Sequence, residues 1–263
     1  ARTSPDTVLT YHNYHKAPDL VGPVIASAFD VPYAIVEASR AQKRATGPWA
    51  QPFAAADRAL SAAHALGAVT QRDAPALTAF RPNAVVRTPP FIDTRPFDAP
   101  HLGSAGGETI VCVAMMREGR KADSVALLAE AFAQVLAHRP TARIRVAGDG
   151  PARASLEPLF PEGTLLGRLD QPALAALLQH SDLFAWPALA EPFGFTFLEA
   201  QAAGLAVVGG AADGVRDVVC DGETGILTPE GDVSAFASAM DALLADPSRR
   251  RAMGEAGRTF AMK

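Results

Sequence analysis

Cysteine is scarce in this chain, and so are long apolar runs and any strong excess of one charge. The 263 residues include two cysteines, Cys112 and Cys220, without metal-ligand spacing, so reduced thiols in a cytosolic protein are expected. No apolar run approaches the length of a membrane span. A net charge of −4 and a pI of about 5.9 give no electrostatic case for nucleic acid as a partner.

Two missing motifs narrow the class of protein further. No G-x-G-x-x-G follows a first strand, which disfavours an NAD-dependent dehydrogenase. No D-x-D cluster that would hold a metal ion is present. What the chain does have is 49% apolar and 20% charged residues, which is typical of a globular protein with enough length for two domains.

Strands and helices alternate regularly from Glu108 onward. Apolar periodicity predicts helices over 124–138, 172–180, 197–203, 234–244 and 248–260, and strands over 110–114, 143–147, 164–166, 183–186 and 206–208. Such alternation implies right-handed crossovers and a parallel sheet, so the second half is predicted to be a Rossmann-like α/β domain.

The first hundred residues show the same alternation of strands and helices, but with fewer elements. Strands are predicted over 8–10, 33–36, 68–70 and 85–87, with helices over 19–29 and 53–66. These are too few strands for a self-standing doubly wound sheet. The Pro- and Gly-rich run from Pro89 to Gly107 is the natural linker, which divides the chain into domains 1–100 and 101–263.

The stretch from Glu191 to Ala200 is the most informative part of the chain. It places Glu191 in a strand-to-helix loop and Glu199 inside the following helix, with Pro192 suited to the first turn and Gly194 allowing close approach of a ligand. Free amides at a helix start attract phosphate, while a nearby carboxylate binds hydroxyl groups. The pattern therefore predicts a pocket for a sugar joined to a phosphate.

The same stretch carries a resemblance to a known family. The segments EPFG, LEAQAAG and DGETG follow one another between Glu191 and Gly225, and the two glutamates have E-x7-E spacing. The chain resembles the retaining nucleotide-sugar glycosyltransferases of the GT-B fold, family four. The resemblance implies two Rossmann-like domains, an N-terminal one on the acceptor side and a C-terminal one that binds the donor. It also implies that the N-terminal domain is incomplete in this chain.

In that family the second glutamate holds the ribose hydroxyls of the donor and the first faces the transferred sugar. The resemblance assigns these roles to Glu199 and, as a catalytic residue, to Glu191, and we expect both to line one cleft. Gly194 and Phe195 would offer backbone amides to the donor. For Glu199 the alternative is a solvated helix carboxylate; for Glu191 it is a carboxylate that caps the helix start, a role compatible with facing the sugar.

The family clamps the donor diphosphate with an R-x4-K-G motif after the first strand of this domain. Here Met115 or Met116 stands at the usual Arg position and Ala122 replaces the Gly. The resemblance makes Arg117 and Lys121 the candidate clamp, with Arg120 as a substitute for Arg117. Exposed charges at a helix start are the alternative interpretation.

Two loops are matched to the nucleotide itself. Gly148, Asp149 and Gly150 resemble a family loop that passes near the nucleotide, although a GDG turn alone is usually only a turn. Arg168 and Leu169 fall where the family holds the base through backbone contacts.

The N-terminal part offers a histidine and a basic run. The family often has a His after the first strand here, so His12 is the candidate catalytic residue and His15 the second choice; a surface His is the alternative. Arg40, Lys43 and Arg44 lie where an acceptor would bind, and would suit an acidic glycan or a lipid phosphate, unless they are only a solvated charge run.

Together these features predict transfer of a sugar from a UDP- or GDP-sugar to a glycan, lipid-linked or small-molecule acceptor, with retention of configuration and without a metal cofactor. The protein is expected in the cytoplasm, with peripheral association at the inner membrane face left open. A non-catalytic nucleotide-sugar-binding module and a nucleotide-sugar 2-epimerase of the same fold are the alternatives. The chain as given is expected to bind a nucleotide but to transfer sugar inefficiently.

Overall fold

The computed structural model describes residues 4–263, which divide into two compact units, one that ends at Pro90 (unit 1) and Phe91–Lys263 (unit 2). The division precedes the boundary expected at residue 100. The reason is Phe97, which is 2% exposed and lies in the core of unit 2. The acceptor and donor roles expected for the two domains stay predictions.

Unit 1 is a four-stranded parallel sheet whose strands follow in chain order. Its strands are β1 Val8–Asn13, β2 Tyr33–Ala38, β3 Ala65–Ala68 and β4 Val85–Arg87, and its helices are α1 Gly22–Phe29, α2 Ala50–Ala62 and α3 Ala74–Phe80. Because right-handed crossovers that all step in one direction place their helices on one face, the core of unit 1 lies between that face and the helices.

The third strand of unit 1 begins earlier than predicted, and α3 was not predicted. The helix expected to reach Leu66 ends at Ala62, because Ala63 is extended and His64 joins the sheet region. The His64 amide donates to the Tyr33 carbonyl at 2.7 Å, while the Tyr33 amide donates to the His64 ring at 3.1 Å. No Gly or Pro marks this break in the sequence, so only tertiary contacts define it.

Unit 2 contains a six-stranded, wholly parallel sheet, which confirms the predicted alternation. Its strands are β5 Thr109–Val113, β6 Arg143–Ala147, β7 Leu165–Gly167, β8 Leu183–Trp186, β9 Val207–Gly210 and β10 Gly225–Thr228. Its helices are α4 Arg120–His138, α5 Arg153–Leu156, α6 Gln171–Gln179, α7 Phe195–Ala202, α8 Asp213–Arg216, α9 Val233–Ala245 and α10 Pro247–Ala261. Strand β10 and helix α8 fall in a passage predicted only as turns.

The strand order of unit 2 is β10-β9-β8-β5-β6-β7, so the chain reverses direction across the sheet between β5 and β8. These two strands pair in parallel, with Ile110 opposite Leu183. The loops that leave their carboxyl ends therefore diverge and open a crevice at this switch point, which is where open α/β sheets bind ligands.

The amino edge of the same sheet is fixed by one buried carboxylate. Asp182 is 5% exposed and accepts hydrogen bonds from the Ser104 amide at 3.1 Å and the Thr109 amide at 2.8 Å. It thereby ties the segment before β5 to the start of β8. Among residues 4–263, no helix is both long enough and apolar enough to cross a membrane.

Helix α10 packs against the turn that precedes β9 through a glycine. A methyl group at Gly254 would lie 2.1 Å from the Gly204 carbonyl oxygen, whereas one at Gly257 would meet the flexible Gln201 side chain at 3.0 Å. We expect Gly254→Ala to lower the free energy of unfolding by about 2 kcal/mol, because overpacking against backbone outweighs a helix-propensity gain of up to about 1 kcal/mol.

Gly257→Ala is the matched control in the same helix, and urea unfolding of both variants is the measurement. We expect a smaller loss for Gly257→Ala, since a side chain can move where a carbonyl cannot. Equal stability of the wild type and the Gly254→Ala variant would show that α10 does not pack as closely as described.

Candidate functional site

Three side chains meet at the switch point of unit 2. Lys121, in the first turn of α4, forms an ion pair with Glu191 in the loop after β8. Trp186, the last residue of β8, lies beneath both: its ring centroid is 5.4 Å from the Lys121 ammonium, and its Nε1–H donates to Glu191 at 3.4 Å. The side chains of Lys121 and Glu191 are 21% and 12% exposed, so this is a largely desolvated charge pair.

The loop that carries Glu191 is held in a strained conformation. Ala188 and Ala190 have φ values of 55° and 54°, a region that residues with a side chain rarely adopt. Hydrogen bonds to two side chains keep it there: the Leu189 amide donates to Ser124 Oγ and the Ala190 amide to Glu230, both at 3.0 Å. The backbone is therefore fixed before any ligand binds.

Glu191 does not cap the following helix, so that alternative is wrong. Its carboxylate is taken by Lys121 and Trp186, and no side chain of residues 4–263 caps the start of α7. Helix α7 begins at Phe195, so Pro192 lies in the loop rather than in the first turn as expected.

Gly194 sits immediately before α7 with φ of 71°, and a methyl group there would lie 2.7 Å from the Val218 side chain. Gly194 is thus required by the turn. Phe195 is 40% exposed and stacks on Phe193 with a centroid distance of 5.5 Å. The amides of Gly194 and Phe195 stay predicted donor contacts.

Glu199 lies one turn into α7 and is half-buried. Among the described residues its carboxylate has no hydrogen-bond or ion-pair partner, and burial raises its pKa. The solvated-helix alternative is therefore wrong: this carboxylate has lost water without gaining a protein partner. Such a group is available to a ligand, although its shared cleft with Glu191 stays a prediction.

A cavity of about 730 Å³ lies beside the carboxyl ends of β5, β6 and β7. Five of the predicted donor-binding residues line it, namely Gly148, Asp149, Gly150, Arg168 and Leu169. Leu174 and the half-exposed Met115 supply apolar walls. The sequence-based assignments from two separate loops thus meet at one concave surface, which does not include Glu191 or Glu199.

The close packing of two loops explains why two positions of this cavity are glycine. Methyl groups at Gly148 and Gly150 would lie 1.8 Å from the Ala114 oxygen and 2.4 Å from the Met116 oxygen. The Met116 amide donates to the Asp149 carbonyl at 3.0 Å, so the loops after β5 and β6 run in contact. The GDG segment is therefore more than a turn, since it allows these two loops to approach.

The predicted phosphate clamp is only partly assembled. Lys121 is at the switch point, whereas Arg117 and its substitute Arg120 are exposed, and neither guanidinium has a partner among residues 4–263. Arg168 at the cavity is exposed in the same way. Within the described part of the chain no three His, Cys, Asp or Glu side chains are arranged for a metal ion, and metal-free chemistry stays a prediction.

A second cavity of similar size, about 770 Å³, lies at the amino edge of the sheet. Its arginines serve the fold: Arg250 donates to the Leu243 carbonyl at 3.0 Å, and Arg258 to the Asp98 carbonyl at 2.7 Å. This cavity joins the segment before β5 to α10 and is away from the carboxyl ends where the predicted residues gather.

In unit 1, His12 lies at the carboxyl end of β1 and its Nδ1 is 2.9 Å from Glu37. His15 packs instead against Tyr14 and Trp49, with centroid distances of 5.2 and 5.3 Å, and burial lowers its pKa. Its Nε2 is buried without a partner among the described residues. Of the two histidines, His12 is therefore better placed for the predicted catalytic role.

Arg40 is paired within unit 1, so it does not belong to a solvated charge run, and its acceptor role stays a prediction. Its guanidinium bonds Asp57 through two contacts of 3.0 and 2.8 Å and lies over the rings of Phe53 and Phe80, which makes it a structural cation. Lys43 is exposed and Arg44 is half-buried. Their contact with an acidic acceptor stays a prediction.

The sequence profile of the family described as glycosyl transferases group 1 matches residues 107–246, which span the six strands of unit 2 and the loops at their carboxyl ends. The chain belongs to this family.

Two curated relatives illustrate the match. A GDP-mannose-dependent monoacylated alpha-(1-6)-phosphatidylinositol monomannoside mannosyltransferase of Corynebacterium glutamicum is 35% identical over 142 residues, covering 50% of this chain and 37% of that protein. A GDP-mannose-dependent alpha-(1-6)-phosphatidylinositol monomannoside mannosyltransferase of Mycolicibacterium smegmatis is 30% identical over 209 residues, covering 70% and 54%. The chain thus spans about half or less of these relatives.

Solved structures share the fold. HepE of Anabaena in complex with UDP superposes with a TM-score of 0.71 at 17% identity, covering 97% of this chain and 73% of that one. Sucrose-phosphate synthase of Thermosynechococcus elongatus gives 0.70 at 22% identity, covering 97% and 68%. The predicted fold class, α/β with two Rossmann-like units as in GT-B glycosyltransferases, is confirmed.

Three residues of the candidate site are not predicted from the sequence. The sequence predicts only a strand at Trp186, and it marks neither Ser124 nor Glu230, the two residues that fix the Glu191 loop. A large aromatic as the last residue before a carboxylate-bearing loop was the available signal. Ser124 and Glu230 lie too far along the chain from that loop for any local pattern to reveal them.

The half-buried Glu199 carboxylate, which has no partner among the described residues, should make the stability of the protein depend on pH. Because burial raises the folded-state pKa of Glu199, the folded state binds the proton more tightly and stability falls as pH rises from the unfolded value of about 4.3 through the folded one. Glu199→Gln removes this cost, so we expect the variant to be more stable than the wild type at neutral pH, with the difference vanishing in acid.

Thermal unfolding at neutral and acidic pH measures the effect, with the exposed Glu162→Gln as the control that leaves stability unchanged. A Glu199→Gln variant that is less stable than the wild type at neutral pH would mean that the carboxylate has a stabilising partner in the folded state.

Proposed function

We propose that this chain carries the donor site, and a part of the acceptor side, of a retaining glycosyltransferase that uses a UDP- or GDP-sugar. Unit 2 takes the donor role and unit 1 the acceptor role. The Lys121–Glu191 pair at the switch point of the sheet is the observation that supports this most strongly.

Each end of that pair suits one part of the donor. The Lys121 ammonium is the cation for the leaving diphosphate, and Arg117 or Arg120 supplies a second charge from the exposed loop. Glu191 accepts hydrogen bonds from hydroxyls of the transferred sugar. Since both groups are already held together by Trp186, charge and sugar recognition are adjacent before the donor arrives.

The remaining contacts follow from the half-buried carboxylate and the cavity. Glu199 accepts two hydrogen bonds from the ribose diol and so recovers the partners that its burial removed. The base occupies the cavity beside Arg168 and Leu169, and the GDG loop passes along the nucleotide.

In the reaction proposed, the bond between the anomeric carbon and the diphosphate oxygen breaks. The acceptor oxygen bonds to the same face of the sugar, and the hydroxyl proton leaves with the diphosphate. Configuration is then retained without a covalent enzyme intermediate, and no metal ion is required. His12 is the catalytic residue on the acceptor side.

The relatives bear on substrate class. Those cited above are named for GDP-mannose and for phosphatidylinositol monomannoside, and another is named D-inositol 3-phosphate glycosyltransferase. We propose a hydroxyl of an inositol-containing or sugar-containing acceptor, lipid-linked or free. The protein would act in the cytoplasm, at the inner membrane face where the acceptor is a lipid.

A nucleotide-sugar-binding module without transferase activity is the second candidate, because the predicted donor-binding residues would by themselves bind a nucleotide. Nucleotide binding and sugar transfer must therefore be measured separately. Calorimetry with UDP and GDP reports the first, and transfer from UDP-glucose and GDP-mannose to myo-inositol acceptors reports the second.

Substitutions of the two glutamates are expected to have different effects in the binding and transfer assays. Glu199→Ala should weaken nucleotide binding by about tenfold to a hundredfold, since it removes hydrogen bonds to a charged group present in ground and transition states alike. Glu191→Ala should leave nucleotide affinity nearly unchanged and lower kcat for transfer. Glu162→Ala, at an exposed loop, is the control for both.

Unchanged nucleotide affinity in Glu199→Ala would refute the ribose assignment. Tight nucleotide binding with no transfer from any donor would favour the module instead. An unaltered kcat in Glu191→Ala would remove that residue from the reaction.

A further inference from the structure

Strands β1 and β2 of unit 1 end in a matched pair of backbone kinks. His12 and Glu37 have φ values of 73° and 56°, and each is flanked by residues in regular register, with Tyr11 opposite Val36 and Asn13 opposite Ala38. Two adjacent strands thus depart from the extended conformation at opposite positions, and each kink carries backbone strain.

The kinks bring two side chains together. His12 Nδ1 lies 2.9 Å from the Glu37 carboxylate, and the same carboxylate raises the pKa of the Tyr11 hydroxyl beside it. The ring of Tyr14 contacts the His12 ring edge-on at 4.5 Å. Left-handed backbone at both positions thus gives a Tyr11–His12–Glu37 cluster at the carboxyl end of the sheet.

Neighbouring residues hold the strain in place. Asn13 is fully buried; its side-chain amide donates to the Ala56 carbonyl at 3.3 Å, and its side-chain oxygen accepts from the Asp19 amide at 2.9 Å. The Ser39 amide donates to the Asn13 carbonyl at 3.1 Å. The residue after the His12 kink is therefore anchored, and it holds the segment that follows the Glu37 kink through Ser39.

The hydrogen-bond chemistry fixes which ring nitrogen is free. A carboxylate only accepts, so Nδ1 must carry the proton that bonds Glu37, and Nε2 of the neutral ring keeps a lone pair. No partner for Nε2 exists among the described residues, and the His12 side chain is 37% exposed whereas Glu37 is 15% exposed. A buried carboxylate thus holds an accessible imidazole acceptor.

We propose that Glu37 is a positioning residue that fixes His12 in the Nδ1–H tautomer, so that Nε2 accepts a hydrogen bond from a hydroxyl of a neutral polyol or sugar. Tyr11, 69% exposed beside it, offers an aromatic surface to the same ligand. The inference rests on the proposed function for its identification of that hydroxyl with the acceptor.

The tautomer is tested by the ring nitrogen resonances of His12, measured on the chain above the ordinary imidazole pKa of about 6.5. In the wild type we expect the proton on Nδ1. Glu37→Gln keeps an acceptor oxygen and should preserve this tautomer, whereas Glu37→Ala should shift the population to Nε2–H. A wild type with the proton on Nε2 would overturn the proposal.

Binding is tested by titrating methyl α-mannoside and myo-inositol while following the Nε2 shift. We expect the shift to move with one or both polyols in the wild type and Glu37→Gln, and affinity to fall about fivefold in Glu37→Ala and His12→Gln, as for one lost hydrogen bond. His180→Gln, at an exposed helix end in unit 2, should leave affinity unchanged.

An Nε2 shift that responds to neither polyol, or equal affinity in wild type and His12→Gln, would overturn the proposal. Both measurements are independent of nucleotide binding and transfer. A negative result here would therefore not contradict the proposed donor site, and a negative result in the donor assays would not affect the interpretation of these titrations. If Glu37→Ala does not fold, the wild type, Glu37→Gln and His12→Gln still decide the outcome.

Discussion

Lys121 and Glu191 lie 70 residues apart in the chain, and their ion pair exists only because β5 and β8 are neighbours. That adjacency comes from the reversal of strand order between these two strands. A largely desolvated carboxylate is costly unless it is paired, so Lys121 offsets the burial of Glu191 and Trp186 restricts both. The loops that carry the site are then fixed relative to one another by electrostatics as well as by the sheet.

Close backbone approach is the second constraint. The cavity next to the switch point can form only because Gly148 and Gly150 have no side chains, so that the loops after β5 and β6 touch. On the other side of the crevice, Ala188 and Ala190 hold left-handed conformations without the help of glycine, at the cost of strain. The site is thus built mainly from closely packed backbone. Few side chains are available to contact a ligand, namely Lys121, Glu191 and Glu199.

Much of this arrangement was predictable from the sequence. The bounds of β6 and β8 were predicted to the residue, and the loop and helix positions of Glu191 and Glu199 were confirmed, because apolar periodicity and the Pro-Gly segment between them are local signals. The Arg168 and Leu169 loop was matched to the base-binding position by resemblance, and it does line the cavity. The donor-binding roles themselves stay predictions.

What escaped prediction depends on long-range contacts. The end of α2 is set by the bonds between Tyr33 and His64, the structural role of Arg40 by Asp57, and the conformation of the Glu191 loop by Ser124 and Glu230. The pairing of His12 with Glu37 joins two strands whose kinks leave no trace in residue type, since neither position is glycine. In each case both partners look ordinary in their own local sequence.

The most direct measurement is a crystal structure of the chain with a bound nucleotide sugar, UDP-glucose or GDP-mannose. The account predicts the diphosphate beside Lys121, the ribose hydroxyls on Glu199, and the base in the cavity beside Arg168 and Leu169. A nucleotide bound at the amino edge of the sheet against Arg250 and Arg258, with Lys121 still paired to Glu191 and no ligand near it, would contradict it.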